Sequence, residues 1–254
     1  MQPILEFDNV SFSYHTINGE IPAIDHISFT VNEGDFIAIV GPSGCGKSTL
    51  LSLICGLITP ESGSIKVMGK PLGSSMTNIG YMLQKDHLFE WRTVYDNVKL
   101  GLEIHRLNPD KSSIKSMLKD YELNEFTNSK PSELSGGMRQ RAALIRTLAL
   151  EPDILLLDEP FSALDYQTRL EVGNDISNII RREHKTAILV THDISEAISL
   201  AERVLVFSAR PTSIKADVRI KFPETCQSTL DKRNSTEFQK YFKIIWEELT
   251  NEAK

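Results

Sequence analysis

The stretch Gly41–Thr49 reads GPSGCGKST and fits G-x-x-x-x-G-K-[ST] at every fixed position, with Thr49 as a second hydroxyl after Ser48. It follows DFIAIV (Asp35–Val40), an apolar run that reads as a buried strand, and it opens KSTLLSLICGL (Lys47–Leu57), which reads as a helix. In such a strand–loop–helix setting the glycines let the loop curl, so that successive backbone N–H groups converge on phosphate oxygens. The helix N-terminus adds partial positive charge at the same place. Gly41, Pro42, Ser43, Gly44, Cys45 and Gly46 form the cradle, Lys47 reaches the outer phosphates, and Ser48 offers its hydroxyl to a magnesium ion. A nucleoside triphosphate is the ligand this stretch implies. Cys45 lies inside the loop, so bound nucleotide is expected to shield it from thiol reagents.

On the N-terminal side, LEFDNVSFSY (Leu5–Tyr14) and IDHISFTV (Ile24–Val31) alternate as strands, with turn residues between them in HTINGEIPA (His15–Ala23). After the loop helix come a turn, TPESG, and a short strand, SIKVMG (Ser64–Gly69). These early strands are expected to form an antiparallel layer beside the nucleotide. IGYMLQ (Ile79–Gln84) reads as a strand ending in a polar residue.

The pattern then turns helical. TVYDNVKLGLEI (Thr93–Ile104) offers a Thr cap and Val94, Val98 and Leu102 at four-residue spacing. Asn108-Pro109-Asp110 is expected to open a further helix, SKPSELSGG (Ser129–Gly137) reads as a loop, and MRQRAALIRTLALEP (Met138–Pro152) as a helix. ILLLDEP (Ile154–Pro160) is an apolar run ended by two acids, as in a parallel strand covered on both faces. A long helix (Tyr166–His184), the strand TAILVT (Thr186–Thr191), a helix over His192–Glu202 and a sheet-closing strand RVLVFS (Arg203–Ser208) complete an alternating pattern. That alternation implies a doubly wound α/β core. In the tail, Phe238, Tyr241, Phe242, Ile245 and Leu249 keep helical spacing, which fits a helix docked on the core.

Composition bounds the rest. The chain has 254 residues, 41% of them hydrophobic, enough to bury the core of one large domain. With a net charge of −6 and no long basic tract, a nucleic-acid surface has no compositional support. MQPILEFDNV lacks the basic start and apolar middle of a signal peptide, and no apolar run approaches a membrane span, so the chain is expected to be cytosolic. Cys45, Cys55 and Cys226 are spaced for neither a disulfide framework nor zinc.

Phosphoryl transfer to water needs a metal contact, a group that activates the water and a group that senses the γ-phosphate. Asp158 and Glu159 end an apolar strand, where adjacent side chains diverge: one can face metal and the other water. His192 follows TAILVT at a strand's C-terminal end, the edge where open parallel sheets gather ligands. Gln84 also ends a strand, and its amide can reach metal or water.

The ordered set GPSGCGKST, Gln84, LSGGM (Leu134–Met138), ILLLDEP, SALD (Ser162–Asp165) and His192 resembles the ATP-binding subunit of ABC transporters over nearly the whole chain. LSGG discriminates, because generic phosphate-loop ATPases lack it. The resemblance implies a RecA-like P-loop core (1–83 and 152–215) with an antiparallel β layer, a helical subdomain (84–151) carrying the signature, and a C-terminal tail (216–254). It implies ATP and Mg²⁺ as ligands. Tyr14 would stack on adenine. Ser48, Asp158 and Gln84 would surround the metal, Glu159 would be the general base, and His192 would contact the γ-phosphate. Ser135, Gly136 and Gly137 would serve the ATP of a second, head-to-tail copy, with Asp165 linking the two sites. Met138 departs from the commonest family sequence, which has Gln there.

The resemblance also implies separate pore subunits, docked on Gln84–Val98, and an indirect partner in a solute-binding protein. Leu88, Phe89 and Trp91 are apolar in that loop, and packing within the chain competes with docking as their explanation. LFEWRTVYDN, PFSALDYQTR and SARPTSI look most like the nitrate, sulfonate and taurine importers. The implied work is uptake of a small anion from the cytoplasmic face of the membrane. Alternatives are uptake of a thiamine-precursor pyrimidine, a non-transport ABC ATPase, or a binding module without turnover. The first is left open. The second usually has tandem cassettes or long coiled-coil insertions, and intact Glu159 and His192 count against the third.

Overall fold

Three central strands with no exposed residue set the architecture. A computed structural model describes residues 3–17, 19–73, 78–107, 111–226 and 228–251. In β3 (Phe36–Val40), Ile37 and Ile39 face one apolar cluster while Phe36, Ala38 and Val40 face another. Ile154 and Leu156 of β7 (Ile154–Asp158), and Ile188 and Val190 of β8 (Thr186–Val190), point to the first cluster. Leu155, Leu157, Ala187 and Leu189 point to the second. Strands covered on both faces read as continuous apolar runs for this reason.

The first cluster lies between two sheets. One is antiparallel, in the order β2-β1-β4-β5, built from β1 (Leu5–Thr16), β2 (Gly19–Val31), β4 (Ser62–Val67) and β5 (Lys70–Pro71). The other has the order β10-β9-β3-β8-β7-β6, with β6 (Ile79–Met82), β9 (Arg203–Phe207) and β10 (Ile214–Arg219). It is parallel except for β10, which runs antiparallel to β9. Helix α1 (Lys47–Ile54) packs into the first cluster through Leu50, Leu51, Leu53 and Ile54. The second cluster is covered by α5 (Gly136–Leu148), α6 (Tyr166–Arg182), α7 (Ile194–Leu200) and α9 (Thr236–Thr250). Between β6 and β7 lie α2 (Val94–Val98), α3 (Leu100–Ile104), α4 (Lys111–Asp120) and α5. Short α8 (Thr229–Arg233) precedes α9.

Several sequence expectations change here. Arg203–Phe207 does not close the sheet, because β10 adds an edge strand beyond it. The turn read over His15–Ala23 is mostly strand, since β1 and β2 run on until Thr16 pairs with Gly19. Thr93 does cap its helix, accepting from the Asp96 amide at 3.1 Å, but the helix breaks at Lys99 into α2 and α3. His192 stands outside its helix: α7 starts at Ile194, capped by Asp193, whose carboxylate accepts from the Ser195 and Glu196 amides. The signature glycines are the first residues of α5 rather than a preceding loop. The helix start read at Asn108-Pro109-Asp110 lies outside the described residues.

The tail helix docks as its spacing suggested. Ile245 is fully buried, and Phe238, Tyr241, Phe242 and Leu249 lean on the same cluster. Lys215 of β10 donates to the Glu248 and Asn251 carbonyls, a cation where the helix presents its negative end. Among the described residues no helix is long and apolar enough to cross a membrane.

Candidate active site

Between β3 and α1 the loop Gly41–Gly46 turns through two glycines at positive φ, Gly44 (73°) and Gly46 (123°). A Cβ on Gly46 would lie 3.0 Å from Thr212 Oγ1 and 3.2 Å from the Ala23 carbonyl, so the close approach itself requires glycine. Gly46 N-caps α1 without a side-chain bond, which leaves first-turn amides for a ligand. Lys47 is buried, and its ammonium donates to the carbonyls of Gly41 (2.8 Å) and Pro42 (2.9 Å). Ser48 is exposed at the mouth of the loop. Tyr14 OH lies 3.0 Å from Thr49 Oγ1, which sets its half-exposed ring beside the first turn of α1.

The Cys45 side chain points the other way. It is 1% exposed and packs in the inter-sheet cluster. This corrects the expectation about thiol reagents: the fold itself already shields the sulfur, with or without nucleotide.

The loop forms one wall of a cleft of about 640 Å³ whose far side is Gln84, Glu159 and His192. Gln84 stands two residues past β6, and Glu159 directly follows β7 with φ at 44°. The Glu159 amide donates to the Val190 carbonyl at 2.8 Å, completing the Asp158–Val190 pair that ends the β7–β8 ladder. Its carboxylate Oε2 lies 3.1 Å from His192 Nδ1 and accepts from Gln84 Nε2 at 3.2 Å. Three residues from three separate strand ends thus meet on one oxygen.

Asp158 parts from its neighbour. Its Oδ2 accepts from Tyr81 OH at 3.1 Å, and the residue does not line the cleft. Burial holds the Asp158 carboxyl above the usual range and Glu159 adds to this, while the Tyr81 hydrogen bond and the Lys47 charge act against it. Burial, with Asp158 adjoining, likewise pushes the Tyr81 phenol up.

Ser135, Gly136 and Gly137 do not line this cleft. Ser135, which is exposed, N-caps α5, its hydroxyl accepting from the Met138 amide at 3.3 Å. Asp165 N-caps α6 and accepts from the Thr168 hydroxyl (2.7 Å) and amide (3.1 Å), bonds that hold its carboxyl below the usual range.

In the Gln84–Val98 segment, Leu88 is buried in the chain's own core, which removes it from any docking surface. Trp91 is 73% exposed and its ring lies 4.7 Å from that of Phe89. Asn97 is fully buried and braces the loop from within. Arg146 of α5 holds the same loop by donating to the Asp86 and His87 carbonyls, both at 2.7 Å.

Two residues of the site escaped the sequence reading. Tyr81 alternates within β6 and reads as packing. Arg210 lines the cleft and donates to the Gly44 carbonyl at 2.9 Å. Its signal was its place just past β9, at the sheet edge that carries Glu159 and His192.

A phosphate cradle, a strand-end acid pair and a capped LSGG helix on one chain define an ATP-binding cassette of the ATPase class. The chain belongs to the ABC transporter family, whose model matches residues 24–162. It is 44% identical over 252 residues to the uncharacterized ABC transporter ATP-binding protein YtlC of Bacillus subtilis, covering 98% of this chain and 97% of that one. It is 36% identical to the aliphatic sulfonates import ATP-binding protein SsuB of Bacillus cereus, over 95% and 94% of the two chains. Among solved structures, the dimeric post-hydrolysis state of the ATP-binding cassette MJ0796 bound to ADP and Pi superposes with a TM-score of 0.73 at 29% identity. It covers 86% of this chain and all of that one.

Proposed function

We propose that this chain is the ATPase subunit of a membrane importer for a small sulfonate-like anion, acting at the membrane surface as a head-to-tail dimer. The observation that carries the reading is the division of the site. Gln84, Glu159 and His192 line the same cleft as the phosphate loop, whereas Ser135–Gly137, at the start of α5, do not line it. A second copy supplies the missing wall, and similarity to a dimeric cassette supports it. The anion rests on similarity to a sulfonate importer subunit.

In this reading the loop amides and Lys47 hold the phosphate chain, and Tyr14 stacks on the base. Arg210 stands at the tip of the loop as a further cation. Glu159 accepts a proton from water as the water oxygen attacks the γ-phosphorus and the bond to the β–γ bridging oxygen breaks. Gln84 orients that carboxylate. His192, engaged through Nδ1, has Nε2 left for a γ-phosphate oxygen. Ser48, Gln84 and Asp158 would hold Mg²⁺. A hydroxyl, an amide and one carboxylate are hard oxygen donors, and they suit an ion that keeps waters and phosphate oxygens in its shell. Among the described residues no group of three His, Cys, Asp or Glu could replace that arrangement with an all-protein cage. When bound, the ion would neutralise charge along the phosphates.

The test measures phosphate release by the wild-type chain and by Glu159→Gln, alone and with co-purified membrane subunits. The variant is expected to bind ATP normally, to lose roughly 10²–10⁴ of its turnover, and to run as an ATP-dependent dimer in size-exclusion chromatography. Normal turnover by Glu159→Gln would end the general-base assignment, and a monomer at saturating ATP would end the shared-site reading.

A further inference from the structure

One arginine reaches the loop behind His192, the loop behind Asp165 and, through packing, the start of the signature helix. Arg169 lies in the first turns of α6 with its side chain 24% exposed. Its Nη2 donates to the Leu164 carbonyl at 3.0 Å, within SALD. Its Nη1 donates to Asp193 Oδ2 at 3.5 Å, next to His192. Its Nε, buried and without a hydrogen bond, lies 3.7 Å from Glu196 Oε1. Glu196 is 5% exposed, and its other oxygen accepts from Thr191 Oγ1 at 2.7 Å. The same Thr191 hydroxyl accepts from the Asp193 amide at 3.0 Å, so His192 sits between two residues tied into one network. On the other side, Leu164 Cδ2 would stand 3.1 Å from a Cβ on Gly136, a contact that lets the SALD loop bear directly on LSGG.

We propose that Arg169 is a positioning residue that couples the half-site the chain keeps, at His192, to the half-site it lends, at Asp165 and Ser135–Gly137. This rests on the shared-site reading above. A guanidinium suits the task because its planar fork can serve a carbonyl and two carboxylates at once, which a lysine ammonium cannot do with the same geometry. Burial pushes the Glu196 carboxyl up, and Arg169 is among the cations that offset this. The network therefore holds together as a unit, and a shift of His192 on engaging a γ-phosphate is passed to Leu164 and Asp165. Packing alone does not account for the arrangement, since an apolar side chain would fill the same place without addressing both loops.

The test places Arg169→Ala, Arg169→Lys and Glu196→Gln in the Glu159→Gln background. Monomer affinity for a fluorescent ATP analogue, the dissociation constant of the ATP-dependent dimer and the melting temperature are then measured. Arg169→Ala is expected to leave nucleotide affinity within about twofold and to weaken the dimer about tenfold, a usual size for intersite coupling. Arg169→Lys is expected to recover part of the loss. In the otherwise wild-type chain, Arg169→Ala is expected to lower kcat and the Hill coefficient for ATP while KM holds. A dimer as tight as that of Glu159→Gln alone overturns the inference. So does a parallel loss of nucleotide affinity and melting temperature that Arg169→Lys does not relieve. If Arg169→Ala fails to fold, Glu196→Gln decides, because it keeps the side chain's size and its bond from Thr191: an undiminished dimer overturns the inference. Failure of Glu159→Gln itself to dimerise removes the shared-site reading and this inference with it, a result distinct from failure of Arg169 alone.

Discussion

Asn97→Ala separates the presentation of the Phe89–Thr93 loop from the chemistry of the cleft. The Asn97 side chain accepts from the Phe89 amide at 2.7 Å and donates to the carbonyls of Thr93 (2.9 Å), Phe89 (3.2 Å) and Arg92 (3.4 Å). The residue is fully buried, and alanine strips the Phe89 amide of its acceptor, while the Phe89 and Thr93 carbonyls keep bonds from the Arg92 and Asn97 amides. Three of these bonds have good geometry. At about 0.5–1.5 kcal/mol net each, with a small return from the better helix propensity of alanine, the loss is roughly 2–4 kcal/mol. For a chain of this size that corresponds to a fall in melting temperature of roughly 4–16 °C. The assay is a thermal melt followed by circular dichroism, together with hydrogen exchange at the Phe89 amide. That amide is expected to lose protection, while ATP hydrolysis by the isolated chain at a temperature well below the melt persists and stimulation by membrane subunits falls. A melt within about 1 °C of wild type with an equally protected Phe89 amide would refute the brace.

Trp91→Ala is expected to leave ATP affinity unchanged and to weaken co-purification with the pore subunits; intact assembly and transport would count against the docking assignment. Cys45 is expected to react slowly with a maleimide whether or not Mg-ATP is present, since its sulfur is buried; fast labelling of the native protein would contradict its packing. Lys232, buried, has its ammonium pulled down to about 8. Between about pH 8 and the ordinary lysine range the unfolded chain binds the extra proton and the folded one does not, so stability rises with pH across that window. Relative to Lys232→Met, the wild-type melting temperature is expected to climb from pH 8 to pH 10, and parallel curves would show that burial does not perturb the group.

What the sequence reveals follows the strength of each local constraint. The phosphate loop and β7 are legible because glycine placement and a doubly buried strand leave few alternative readings. β10 is not, because its Ile214, Ala216 and Val218 are only half-buried on a sheet edge, so alternation there is faint. The β1–β2 hairpin outruns its pattern because register shifts between Phe7 and Ser13 break the alternation that marks a strand. Within the site, Gln84, Glu159 and His192 stand at strand ends, where position alone carries meaning. Tyr81 and Arg169 act through side chains that reach across the fold, and spacing along the chain holds no record of a contact between residues 77 positions apart.

The bond from the Glu159 amide to the Val190 carbonyl makes the spacing of Glu159 and His192 a property of main chain. Glu159 and His192 are offset by the pitch between neighbouring strands, a length that no side-chain replacement on the surface can retune. The loop that carries the exposed Trp91 is held instead by side chains, among them Asn97 and Arg146. Such a loop can change in sequence while the spacing at the strand ends stays fixed, like a motor whose mounting bolts differ from one vehicle to the next.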